Sequence, residues 1–196
     1  MSLWKLFLVL LILAGCAAPP AVTVKPFADN RAWLLQEDMV YEVGSSGKTI
    51  VVPAGFVTDY ASVPQVLWGV LSPHDQYSRA AVVHDFLYWA QVCTRSQSDN
   101  ILKIAMIESD VPTWKQTAVH EAVLKFGQSS WDENTRLKQQ GYVRIVSGAP
   151  RRAAPNETWE AYRGSLYQAG VREKPVSVDA DVCALGNQAE VPGRTD

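Results

Sequence analysis

The strongest constraint on this chain is a change near residue 77 in the period of its apolar residues. Ahead of that point the pattern suits strands. Ala32 to Val43 alternates loosely, and Lys48 to Pro53 is a short β-branched run. Gly44, Ser45, Ser46 and Gly47 lie between them, which predicts a β-hairpin. Val57 to Pro64 is rich in turn formers and reads as an ordered loop. From Tyr77 the period becomes helical. Ala80, Val83, Leu87, Trp89 and Ala90 predict a helix to about Val92. A second follows, capped by Ser96 or Ser98, with Ile101, Leu102, Ala105 and Met106 as its stripe and Asp110-Val111-Pro112 as its stop. Pro112 suits the first turn of a third helix, carried by Trp114, Ala118, Val119, Ala122, Val123 and Phe126 and ended by Gly127. Ser130 to Gln140 predicts a fourth, and Tyr142 to Val146 one more strand. Trp159 to Ala169 predicts a further helix capped by Asn156 or Thr158. Strands followed by helices give an α+β fold: a small antiparallel sheet packed with a helical hairpin and two or three further helices.

The first sixteen residues stand apart. Lys5 precedes an apolar run from Leu6 to Leu13, and Leu13-Ala14-Gly15-Cys16 closes it with small residues before a cysteine. The run is shorter than the roughly 20 residues a membrane span needs. It resembles the lipobox of bacterial lipoproteins. That resemblance implies cleavage before Cys16 and lipid on its thiol, so that the mature protein is anchored to a membrane rather than spanning it. Ala17, in place of Asp, implies the outer membrane, facing the periplasm. The expected organisation is a signal peptide over 1–15, an Ala/Pro-rich tether over 16–29, a globular domain over 30–170, and an extended or partly disordered tail over 171–196.

Of the three cysteines, lipid on Cys16 leaves Cys93 and Cys183 as an even pair in an oxidising compartment. The pair suits one disulfide, with two unrelated thiols as the alternative. The net charge is −2, with no basic block longer than Arg151-Arg152, and this argues against a nucleic-acid partner.

The chemistry-bearing residues concentrate in the first helical pair, where His84-Asp85-Phe86-Leu87-Tyr88 is followed by Asp99. With a turn near Cys93 to Thr94, His84 and Asp99 differ by about 6 Å along the axis at the rise of an α-helix. A side-chain contact is then within reach. Tyr88 lies one turn after His84 on the same face. An imidazole whose one nitrogen is held by a carboxylate can use the other as a general base, so His84, Asp99 and Tyr88 are the catalytic candidates. Asp85 points about 100° away and is free for another partner. Together with Asp59 and loop carbonyls of Pro53 to Pro64 it offers the hard-oxygen set that suits calcium. Zinc is less attractive, since His120-Glu121 lacks the second histidine of a helical zinc motif. Ser62 is an alternative nucleophile for the His84/Asp99 pair.

An architectural reading competes: Asp59, Ser62 and Asp85 can hold the Thr58 to Pro64 turn against the helix through buried hydrogen bonds. His74 reads as a turn residue and His120 as a half-exposed helix residue. Trp68, Trp89, Trp114 and Trp131 read as core or membrane-facing packing.

Two family resemblances rest on these residues. The string Val52-Pro53-Ala54-Gly55-Phe56-Val57-Thr58-Asp59-Tyr60-Ala61-Ser62-Val63-Pro64, with Ala80 to Tyr88, Asp99 and Leu124-Lys125-Phe126-Gly127, resembles domain of unknown function family 1353 of phages and bacteria. That likeness spans roughly residues 30 to 131 and implies no activity. His84-Asp85-x-x-Tyr88 followed by Asp99 is similar to the catalytic helix pair of secreted and viral phospholipases A2. This second likeness implies that His84 activates water, Asp99 orients it, and Asp85 binds calcium. The chain departs from that family in lacking the usual glycine-rich calcium loop and the cysteines flanking the HD motif. The expected function is that of an envelope-associated binding lipoprotein of phage or prophage type, superinfection exclusion being one example. The alternative is a calcium-assisted, phospholipase A2-like esterase. The partners are correspondingly the membrane, with an envelope protein or phospholipid.

Overall fold

The computed structural model describes residues 22–60, 77–149, 152–173 and 175–194. Five short strands come first: β1 (Val24–Pro26), β2 (Trp33–Leu35), β3 (Met39–Glu42), β4 (Thr49–Val52) and β5 (Val57–Thr58). They form two antiparallel sheets, one in the order β1-β2-β5 and one pairing β3 with β4. In the β3-β4 pair, Met39 lies opposite Val52 and Tyr41 opposite Ile50, all four buried. Val40 and Val51 face each other on the exposed side, as the two-residue period of a strand requires.

The predicted hairpin is only partly realised, because its first arm divides. The Asp38 carboxylate accepts the Ala54 amide at 2.7 Å and interrupts the ladder. Leu35 instead pairs with Phe56 and Gly55 at 2.8 Å each, so β2 leaves the hairpin for the three-stranded sheet. The predicted strand Tyr142 to Val146 is reduced to one bridge, Phe56 to Ile145, along the edge of β5.

Five helices follow: α1 (Ser78–Ala90), α2 (Arg95–Glu108), α3 (Thr113–Gln139), α4 (Trp159–Gln168) and α5 (Ala180–Leu185). The fold is α+β. Helix α1 is buried without interruption from Ala80 to Trp89, which makes it the central helix, packed against β4, β5, α2 and α3. The cap of α2 is Thr94 rather than Ser96 or Ser98. Its hydroxyl accepts the Gln97 amide while the Gln97 side chain accepts the Thr94 amide, a reciprocal capping box.

Helix α3 runs unbroken through Gly127 and absorbs the predicted third and fourth helices. Gly127 does not end it. A Cβ there would fall on the Tyr88 hydroxyl, so the glycine lets α1 and α3 approach. Helix α4 is capped by Thr158. The tail expected to be extended carries α5, capped by Asp179.

The main core lies between the strands and α1, α2 and α3, and a smaller one packs Tyr162 and Leu166 of α4 against Phe27, Val57 and Val143. Cys93, between α1 and α2, is disulfide-bonded to Cys183 of α5 across 90 residues of sequence. Pro192 beyond α5 accepts the Ser45 amide at 3.0 Å and packs on Gly44, so the chain's last described segment clasps the β3-β4 turn. Among the described residues no helix is long and apolar enough to cross a membrane.

Candidate functional site

The site begins where α1 and α2 pass each other. His84 Nε2 lies 2.9 Å from Asp99 Oδ1, and the Tyr88 hydroxyl donates to the same oxygen at 2.5 Å. Arg95, one turn before Asp99 on α2, donates to Oδ2 at 2.9 Å. Asp99 is fully buried and receives all three groups. His84 is only 1% exposed and its ring lies 4.0 Å from that of Tyr88, centre to centre. Trp131 of α3 closes over Tyr88 edge-on at 5.2 Å. Arg95 also donates to the Val123 carbonyl of α3 at 3.3 Å, so one carboxylate joins three helices.

The arrangement fixes a tautomer. Asp99 accepts from Nε2–H, so in the neutral ring the lone pair falls on Nδ1. Nδ1 is buried and has no hydrogen-bond partner among the described residues. The Tyr88 phenol is pushed well above its ordinary pKa, first by burial and then by Asp99, so it remains a donor.

Asp85 belongs to a different set of contacts. Its Oδ2 accepts the Thr58 hydroxyl at 2.6 Å and the Asp59 amide at 3.1 Å, pinning the end of β5 to α1. Arg144 donates to Asp59 Oδ1 at 3.2 Å and reaches within 3.9 Å of Asp85. Burial first and Asp59 second raise the Asp85 carboxyl to about 8, against the opposing pull of Arg144 and the Thr58 hydroxyl. Asp59 and Asp85 are thus brought together, with a guanidinium in attendance. Arg144 is the cation beside the two carboxyl groups, and no group of three or more His, Cys, Asp or Glu among the described residues is placed to hold a metal.

Of the other candidates, Ser62, His74, Trp68 and Cys16 lie outside the described residues. His120 is buried, not half-exposed, because its ring reaches Asn100 of α2 at 3.2 Å. Trp89 is buried with its indole N–H on Glu173 at 2.8 Å, while Trp114 is 58% exposed. Sequence reasoning missed Arg95 and Arg144. The first was findable, since it stands four residues before Asp99 on one helix face. The second carries no local signal for its acidic partner: Asp59 lies 85 residues earlier in the chain.

Residues 33–123 match the family described as "Protein of unknown function (DUF1353)", a stretch that holds β2 through the first part of α3 and all of His84, Asp85, Tyr88, Arg95 and Asp99. An uncharacterized protein of Sinorhizobium fredii (y4jT) is 31% identical over 88 residues, covering 44% of this chain. The aligned stretch is only 26% of that relative's length. No solved structure matches the chain.

Proposed function

We propose that this chain is a hydrolase of carboxylic esters that uses His84 as general base, with phospholipid as its substrate class. The observation that carries the reading is the division between the two imidazole nitrogens: Nε2 is held by Asp99, and Nδ1 is buried without a partner among the described residues. A buried polar atom left unsatisfied costs about 1–3 kcal/mol, and in a folded protein that cost calls for a reason. In this reading Nδ1 takes a proton from water as the hydroxide adds to the ester carbonyl. The intermediate then expels an alkoxide, which receives the proton from Nδ1. Asp99 stabilises the imidazolium formed between the two steps, and Tyr88 and Arg95 hold Asp99 in place.

At 1% exposure His84 meets a substrate only after neighbouring chain moves aside, so turnover is gated. Calcium has no part in this reading. Lipid on Cys16, at the outer membrane facing the periplasm, would hold the enzyme on its substrate. The test is hydrolysis of short-chain phosphatidylcholine by detergent-solubilised protein, with calcium and with chelator, beside His84→Ala and Asp99→Ala proteins checked for folding by circular dichroism. Chelator-resistant turnover that disappears in folded His84→Ala supports the assignment. Full activity in His84→Ala, or none in the parent protein, removes it.

A second reading is favoured by the closure of the whole His84 network and by the exposure of Trp114 and Phe126 on α3. In it the protein is an envelope-associated lipoprotein of phage or prophage type that binds an envelope protein, as in superinfection exclusion. His84→Ala then costs stability alone. An expressing strain as phage-sensitive as its parent across a broad phage panel counts against the exclusion role.

A further inference from the structure

A second polar cleft, which His84 does not line, lies between the end of β5, the C-terminal third of α3 and the start of α4. Its volume is about 360 Å³, and three arginines line it: Arg31, Arg144 and Arg163. Arg144 is fixed in place, donating to the Val57 carbonyl at 2.8 Å, to Asn134 Oδ1 at 3.2 Å and to Asp59 Oδ1 at 3.2 Å. Arg163 differs. Its half-buried guanidinium sits 5.2 Å from the Tyr142 ring centre and 5.6 Å from that of Trp159. No hydrogen bond or ion pair to it is present among the described residues. Stacking leaves the edge of a guanidinium free, so its five donors face no acceptor among the described residues.

The cleft also holds four acidic residues, three of which have partners. Glu133 is held by both arms of Arg136 at 2.6 and 2.7 Å, Asp59 by Arg144, and Asp29 by the Arg31 amide at 3.2 Å. Glu160 is the remaining one, and it is solvent-exposed. Burial first and the nearby Arg144 second push the Arg163 guanidinium below its ordinary pKa, against the opposing pull of Glu160, Tyr142 and Glu133. Two arginines at one cleft, one anchored and one with a free edge, form a receptor for a multiply charged oxyanion, since a planar fork bonds two oxygens at once.

We infer that this cleft binds a phosphate group through Arg163, with Arg144 and Arg31 beside it, whether the phosphate is free or borne on a lipid headgroup. The inference stands apart from the hydrolase reading, because it concerns binding and needs no turnover. It is tested by isothermal titration calorimetry of the detergent-solubilised protein with inorganic phosphate, and separately with monomeric dihexanoyl-phosphatidylglycerol. Arg163→Gln removes the charge from a side chain that makes no hydrogen bond, and Arg163→Lys keeps the charge without the fork. Lys125→Gln, at an exposed side chain that does not line the cleft, serves as the control. Saturable binding weakened about tenfold or more by Arg163→Gln, less by Arg163→Lys and not by Lys125→Gln is the expected result, about 1.4 kcal/mol for each factor of ten. Binding of phosphate alone identifies the free ion as ligand, and binding of the lipid alone identifies the headgroup. Absence of saturable binding to both, or equal affinity in Arg163→Gln, overturns the inference.

Discussion

His84 and Asp99, fifteen residues apart on consecutive helices, meet through a 2.9 Å contact that neither shares with solvent. Because Asp99 also receives Tyr88 and Arg95, removing its carboxylate leaves two buried donors, on His84 and Tyr88, unsatisfied and takes the ion-pair partner from the part-buried Arg95. Asp99→Ala is expected to cost about 3–5 kcal/mol, the usual penalty for breaking a buried charged pair. Tyr88→Phe removes a single bond to a charged acceptor and is expected to cost about 1.5–3 kcal/mol. Urea unfolding of the two variants checks both the size and the order.

The Gly127 approach makes a sharper prediction. Gly127→Ala places a methyl group on the Tyr88 hydroxyl and is expected to destabilise by about 1–3 kcal/mol, although alanine is the better helix former. In a Tyr88→Phe background the oxygen is gone and the nearest ring carbon stands 3.3 Å from the new atom. The same substitution should then be nearly neutral. A double-mutant cycle with equal Gly127→Ala penalties in both backgrounds refutes the steric explanation.

Asp85 sets a pH dependence. Its folded pKa is raised to about 8 from an ordinary carboxyl value of 3.8, so between those limits the folded protein holds a proton that the unfolded chain has released. Its contribution to stability is therefore full below about pH 4, falls as pH rises, and is lost above about pH 8. Unfolding curves across that window should show stability declining with pH from this group. Asp85→Asn, which cannot ionise, should flatten the decline; an unchanged slope rules out Asp85 as its source.

The Cys93–Cys183 bond closes a loop of 90 residues, for which the chain-entropy relation gives about 4–5 kcal/mol. Reduction should lower stability by that amount, and Cys183→Ser should match the reduced parent. A difference between them would point to effects of the serine itself.

Local spacing made part of this legible. The rise of a helix and one turn near Cys93 are enough to bring His84, Tyr88 and Asp99 together, because all three lie within sixteen residues on two adjacent helices. What remained hidden depended on distant chain. The passage of α3 through Gly127 is decided by a tyrosine 39 residues earlier, so the glycine read as a stop. The division of the first hairpin arm is decided by Asp38 capturing the Ala54 amide. Arg144, which answers Asp59 across 85 residues, has nothing around it in sequence that announces a partner. For that reason the sequence reading of Asp59 and Asp85 did not include the guanidinium that pairs with Asp59.

The disulfide also imposes an order of events on biosynthesis. Helices α1 and α2 are complete in the chain by residue 108, yet Cys93 waits for a partner that is made 90 residues after it. During that interval its thiol has one intramolecular rival, Cys16, since the chain holds three cysteines in all. A lipid placed on Cys16, as proposed, would retire that rival, so that modification at one end of the molecule safeguards correct pairing at the other.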